Sequence, residues 1–142
     1  MHLLNKGGDV ADENLNVKIT NRVAGDKWYF NRSFTFTDSP AQSVTFTKVY
    51  LTIKENETDE DDDAVFQEFI TSSSTSRGQI TDASSSDGAV AFNFRVLGDE
   101  SVLLEPGVTY FYDFQGIDTD GEPYTFEIGK IKPRRGRTDA TS

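Results

Sequence analysis

The sequence predicts an all-β protein, an antiparallel sandwich of seven or eight strands, and three observations carry that prediction. Apolar residues recur at every second position in one short segment after another, the spacing that gives a strand one dry and one wet face. Eleven Phe and five Tyr stand among 142 residues, and large rings of this kind fill the space between two packed sheets. The segments are separated by clusters of Gly, Asp, Ser and Pro, with no long stretch of helical spacing and no internal repeat.

Residues 1–14 contain Gly7-Gly8-Asp9 and Asp12-Glu13-Asn14 and are expected to form a flexible arm. Leu15, Val17 and Ile19 alternate and predict a first strand, followed by a turn at Gly25. Trp28, Phe30, Phe34 and Phe36 share even parity in a long strand that ends at Asp38-Ser39-Pro40. In the next strand Val44 and Phe46 are even, whereas Val49, Leu51 and Ile53 are odd. A strand cannot change parity without turning its side chains over, so a bulge or a break is expected near Thr47-Lys48.

Residues 55–63 hold seven acids and no base, a loop kept extended by its own repulsion. Ala64 to Thr71 predicts a short strand, although Val65, Phe66, Phe69 and Ile70 also fit one helical turn. The polar stretch Ser72 to Asp87 has room for a short strand at Gln79-Ile80-Thr81. Val90, Phe92, Phe94 and Val96 form a clear strand. Gly98 to Gly107 predicts a single helical turn, capped by Asp99 and ended by Pro106-Gly107.

The final third is the clearest signal. Val108, Tyr110, Tyr112 and Phe114 alternate, as do Tyr124, Phe126 and Ile128, with Asp120-Gly121 between the two runs. Gly takes positive φ without a Cβ clash, so this is a hairpin. Shared parity places Phe34, Phe36, Phe92, Phe94, Tyr112, Phe114 and Phe126 in one core. The expected organisation is an arm over 1–14, a sandwich over 15–131 and a basic tail over 132–142.

Composition excludes several functions. There is no cysteine, hence no disulfide, thiolate nucleophile or Cys-based zinc site. The net charge of −10 disfavours nucleic-acid binding. No apolar run approaches the roughly 18–20 residues of a membrane span, and the N-terminus lacks a signal-peptide core. The expected site of synthesis is therefore a cytoplasm. His2 is the single histidine and lies in the arm, so no Ser-His-Asp or His-metal constellation is available. The expectation is a protein that is not an enzyme and carries no cofactor or metal.

The run Glu55–Asp63 lacks the Asp-x-Asp-x-Asp-Gly spacing of a calcium loop. Asp118-Thr119-Asp120-Gly121-Glu122 is better explained as the hairpin turn. In the tail, Arg134, Arg135 and Arg137 are the candidate partner-binding residues. Their expected target is an acidic protein surface, such as the acid-rich loop of a neighbouring copy. An alternative reading is a carbohydrate- or surface-binding module, with Trp28, Tyr29, Tyr110 and Tyr112 as a stacking platform. Parity decides it, because buried aromatics form no platform.

Several segments together carry a family likeness. They are Phe36-Thr-Asp-Ser-Pro40, Val44 to Lys54, Ala64-Val-Phe-Gln-Glu-Phe69, Gly88-Ala-Val-Ala-Phe-Asn-Phe94, Leu104 to Gln115, and Asp120-Gly-Glu-Pro-Tyr-Thr-Phe126. Over roughly residues 28–132 the chain resembles the small immunoglobulin-like modules of tailed-bacteriophage structural proteins, of the type found at the N-terminus of baseplate upper proteins. The resemblance implies an Ig-like sandwich, location in a virion after synthesis in the host cytoplasm, and partners that are other virion proteins or further copies of the chain. It implies no catalytic residue. No long receptor-binding region follows the module, so the expected role is an accessory component of capsid, neck, tail or baseplate.

Overall fold

The computed structural model describes residues 12–35, 45–83 and 89–136. Phe36, Arg137 and the arm up to Ala11 lie outside them. Eight strands form two sheets, as the alternating segments predict. They are β1 (Val17–Ile19), β2 (Trp28–Thr35), β3 (Phe46–Lys54), β4 (Phe66–Ile70), β5 (Gly78–Asp82), β6 (Ala89–Val96), β7 (Tyr110–Asp118) and β8 (Pro123–Ile131). One sheet has the order β1-β8-β7-β3-β4, the other β2-β6-β5. The inner faces enclose a core dominated by Trp28, Phe30, Phe34, Phe46, Phe92, Phe94, Phe114 and Phe126. Rings meet mostly edge-on, as between Phe46 and Phe126 at 5.1 Å, which suits their quadrupoles.

Parity fails where the pairing is irregular. In β3 the register with β7 shifts between Phe46 and Lys48, so the expected bulge lies at Thr47, and Phe46 and Val49 both face inward. A second bulge, in β8, has no counterpart in the sequence expectation. Phe114 pairs with Glu127 and Gln115 with Thr125, leaving Phe126 as the extra residue. Tyr124 and Phe126 fill the core, but beyond the bulge the inward residues are Glu127, Gly129 and Ile131, while Ile128 turns outward. The predicted alternation of Tyr124, Phe126 and Ile128 is thus corrected at its last member.

The hairpin turn forms as predicted. Gly121 has φ 81°, and the Asp118 carboxylate accepts hydrogen bonds from the backbone of Asp120 and Glu122 at 2.9 and 2.8 Å. The segment 64–71 is strand and not helix, because Phe66 to Ile70 pairs with Val49 to Ile53. The short helix α1 (Gly98–Ser101) is closed by Glu100, not Asp99. Leu97 precedes the helix and offers no side-chain acceptor, so its N–H donates to Glu100 Oε1 at 2.7 Å.

One pair departs from the antiparallel expectation: β1 runs parallel to β8. That pairing continues into the segment read as tail. Lys132 N donates to Ile19 O at 3.0 Å, Arg134 N to Arg22 O at 2.8 Å, and Ala24 N to Arg134 O at 2.9 Å. Pro133 is buried and its carbonyl accepts from Gly107 N at 2.9 Å. Residues 132–134 therefore belong to the folded unit.

Candidate functional site

Arg134 and Arg135 border a shallow depression with Thr20, Pro106 and Gly107. Both residues are exposed, and docking of the backbone from Lys132 to Arg134 fixes where their side chains start. The acid-rich loop leaves the same end of the five-stranded sheet. Lys54, the last residue of β3, pairs with Phe111 at the start of β7, and Ile131, the last of β8, pairs with Tyr110. The loop contains a 3-10 turn over Asp61–Asp63 and is tied to the sheet by Lys54 Nζ and Asp61 Oδ1 at 2.9 Å.

The proposed aromatic platform is not assembled. Trp28, Tyr110 and Tyr112 are 1%, 4% and 5% exposed, against 55% for Tyr29. The buried three use their polar ends inside the protein. Trp28 Nε1 donates to Val23 O at 2.8 Å, and the Tyr110 hydroxyl accepts from Glu105 N at 2.9 Å. Tyr29 stands alone, with Lys27 Nζ and the Arg95 guanidinium 5.8 and 5.7 Å from its ring centre.

Between the sheets lies a polar cluster created by the β8 bulge. Glu127 is 3% exposed and accepts from Arg32 Nε at 2.7 Å and from the Tyr112 hydroxyl at 2.5 Å. Burial and the adjacent carboxylate push the Tyr112 phenol far above its ordinary range, so it is a fixed donor. Gly129 lies beneath the Tyr112 ring, where a Cβ would come within 2.8 Å of it. With both carboxylate oxygens engaged by Arg32 and Tyr112, the cluster joins β2, β7 and β8 and works as a structural tie.

A groove of about 420 Å³ lies on the outer face of the five-stranded sheet. Asp113 and Phe111 of β7 form its floor, between Ile128 and Lys130 of β8 and Thr52 and Lys54 of β3, and Asn16 and Glu57 are also in the lining. Burial raises the Asp113 carboxyl from 3.8 to about 6; Lys54 opposes the rise and Asp61 adds to it. In the sequence Phe111 and Asp113 stand among the mostly polar neighbours of Tyr110, Tyr112 and Phe114. The available signal is that this face of β7 is not cleanly polar, holding Phe111 and Ile117 beside Asp113 and Gln115. Among the described residues no group of three or more His, Cys, Asp or Glu is placed to hold a metal, and His2 lies outside them.

No protein-family model and no curated protein matches the chain. Among solved structures it is similar to astrotactin-2, a vertebrate-specific, perforin-like membrane protein involved in neuronal development, at 14% identity and a TM-score of 0.37. That likeness covers 82% of this chain but spans only 20% of the astrotactin-2 chain.

Proposed function

We propose that this protein is a non-enzymatic structural protein of a tailed-phage virion, an accessory component of capsid, neck, tail or baseplate that binds other virion proteins or further copies of itself. The sequence likeness over residues 28–132 supplies the virion assignment. The observation that carries the binding reading is the pairing of opposite charges at one end of the sandwich. The acid-rich loop follows β3 and the basic segment follows β8, with the start of β7 between them. Strand spacing puts the two origins about 10 Å apart.

In a two-fold pair of copies, each basic segment meets the partner's acidic loop, so one contact is made twice. Arg134 and Arg135 have no carboxylate partner among the described residues, which leaves their forks free for bidentate contact with one. A partner virion protein with an acidic patch satisfies the same geometry.

The test is made on particles. An antibody against the chain should decorate purified intact virions, and the double variant Arg134→Glu, Arg135→Glu supplied in trans should enter them poorly. Recruitment of the unaltered protein should weaken with added salt, because exposed charges are screened over about 8–10 Å. Absence of the chain from purified particles overturns the virion assignment. Normal entry of the double variant overturns the charged end as the contact.

A further inference from the structure

The groove on the outer face of the five-stranded sheet is bordered by the acid-rich loop through Glu57, but its floor takes no part in the contact proposed above. Asp113 lies recessed on its floor, and no described side chain donates a hydrogen bond to that carboxylate. The charged groups around it are Lys54 from β3, Lys130 from β8, and Glu57 and Asp61 from the loop after β3. Lys54 is already engaged by Asp61 at 2.9 Å. A partly desolvated acceptor is therefore left without a donor. Beside it is an apolar surface. Ile128 stands directly across from Asp113 in the β7–β8 pairing, and Phe111 is two residues away on the same face.

We propose that this groove binds a neutral, hydroxyl-rich ligand, a pyranose unit of a saccharide, with its C–H face against Phe111 and Ile128 and its hydroxyls donating to Asp113. The chemistry of the walls selects this class. A cation on the apolar wall meets Lys130, whose ammonium lies 5.8 Å from the Phe111 ring centre. An anion meets Asp113, Glu57 and a molecule of net charge −10. A purely apolar ligand leaves Asp113 desolvated and still without a donor. A sugar ring supplies an apolar face and several donors at once. The volume of about 420 Å³ falls in the range of roughly 300–1,000 Å³ seen for small-molecule sites. The ligand contacts Phe111, Asp113 and Ile128 are residues that the virion proposal does not use, although the acid-rich loop borders both sites. Particle entry tests one and sugar titration of the isolated chain tests the other, so either can fail alone.

The test is a titration of the full ¹⁵N-labelled chain with maltose, cellobiose, lactose and N,N′-diacetylchitobiose, each to about 50 mM, which reaches the weak millimolar range. At least one should give saturable amide shifts centred on Phe111, Asp113 and Ile128. Phe111→Ala and the near-isosteric Asp113→Asn should each weaken binding about tenfold or more. Asp113→Asn keeps the side-chain volume, so a folding failure of Phe111→Ala would still leave a usable variant. Because the ionised carboxylate is the better acceptor and this group titrates near 6, affinity should rise between about pH 5 and pH 7. Saturable shifts from none of the four sugars overturn the proposal. So do shifts centred on Tyr29, unchanged affinity in Asp113→Asn, or saturation of the groove by 1,5-diaminopentane while the sugars stay silent.

Discussion

β6 and β8 are both long strands with several buried residues, and they face the core by different rules. In β6, Val90, Phe92, Phe94 and Val96 are each 2% exposed or less, and strict alternation holds from the first of them to the last. In β8 the bulge at Phe126 reverses the faces halfway along. One strand contributes only hydrocarbon to the interior. The other contributes Tyr124 and Phe126 before the bulge and a carboxylate, Glu127, after it. A single extra residue thus changes what a strand can do. It brings a buried ion pair into the core and sends Ile128 out to the groove.

The largest expected effect tests the regular strand. Phe94 is fully buried and meets Phe66 and Phe114. Phe94→Ala should cost about 3–5 kcal/mol, as for other buried Phe truncations, measured by urea denaturation. A loss below about 1 kcal/mol would show that β6 does not present this face to the core.

Next comes the irregular strand. Glu127→Ala leaves Arg32 and the Tyr112 hydroxyl without their acceptor. Removing one partner of a buried pair costs roughly 3–5 kcal/mol. The Arg32 side chain is 22% exposed, so water relieves part of that, and about 3 kcal/mol is expected. A neutral result in the same denaturation series would place Glu127 in solvent and remove the β8 bulge from the fold.

The contrast between the strands also explains what the sequence could tell. The element order was legible where a strand carries its own alternation, as β2, β6 and β7 do, and a turn its own Gly, Asp or Pro. β4, buried at Phe66 and Ile70 alone, and the polar β5 carry little of it. The β3 bulge was legible too, since Phe46 and Val49 announce a parity change. The β8 bulge was not. Tyr124, Phe126 and Ile128 keep even spacing in the sequence, and the register is set by pairing with β7, a non-local contact. The parallel β1–β8 pair was hidden for the same reason, and it gathers Lys132 to Arg134 into the fold. Of the candidate sites, Arg134 and Arg135 were visible as charge. The Asp113 groove needs three strands and the loop after β3 side by side, and no short motif encodes that.

A smaller effect lies on the outer face, opposite Ile128. The Asp113 carboxyl titrates at about 6 in the folded chain against an ordinary 3.8. Its folded value is the higher one, so the native state holds the proton over the interval where the unfolded chain has lost it. Stability is therefore lost as pH rises from about 4 through 6. At about 1.4 kcal/mol for each pH unit the full effect would be near 3 kcal/mol, and access to water reduces it to about 1–2. Asp113→Asn should be more stable than the unaltered protein by that amount at pH 7 and nearly equal to it at pH 4. Equal stability at both values would mean that the carboxylate is well solvated and not recessed in the groove.

The smallest effect is the sharpest test of the bulge. Alternation in the sequence gives Ile128 the same inward role as Phe126, and truncating a buried Ile to Ala costs about 2–5 kcal/mol. The bulge turns Ile128 to the groove on the outer face, where it is partly exposed. Part of its surface is already exposed there, so the truncation leaves a smaller cavity than it would in the core. Ile128→Ala should therefore cost about 1 kcal/mol or less. Its neighbour Phe126, fully buried against Phe34, Phe46 and Phe92, should cost about 3–5 kcal/mol for the same truncation. Comparable losses at the two positions would restore unbroken alternation through β8, and with it turn Glu127 back out of the core.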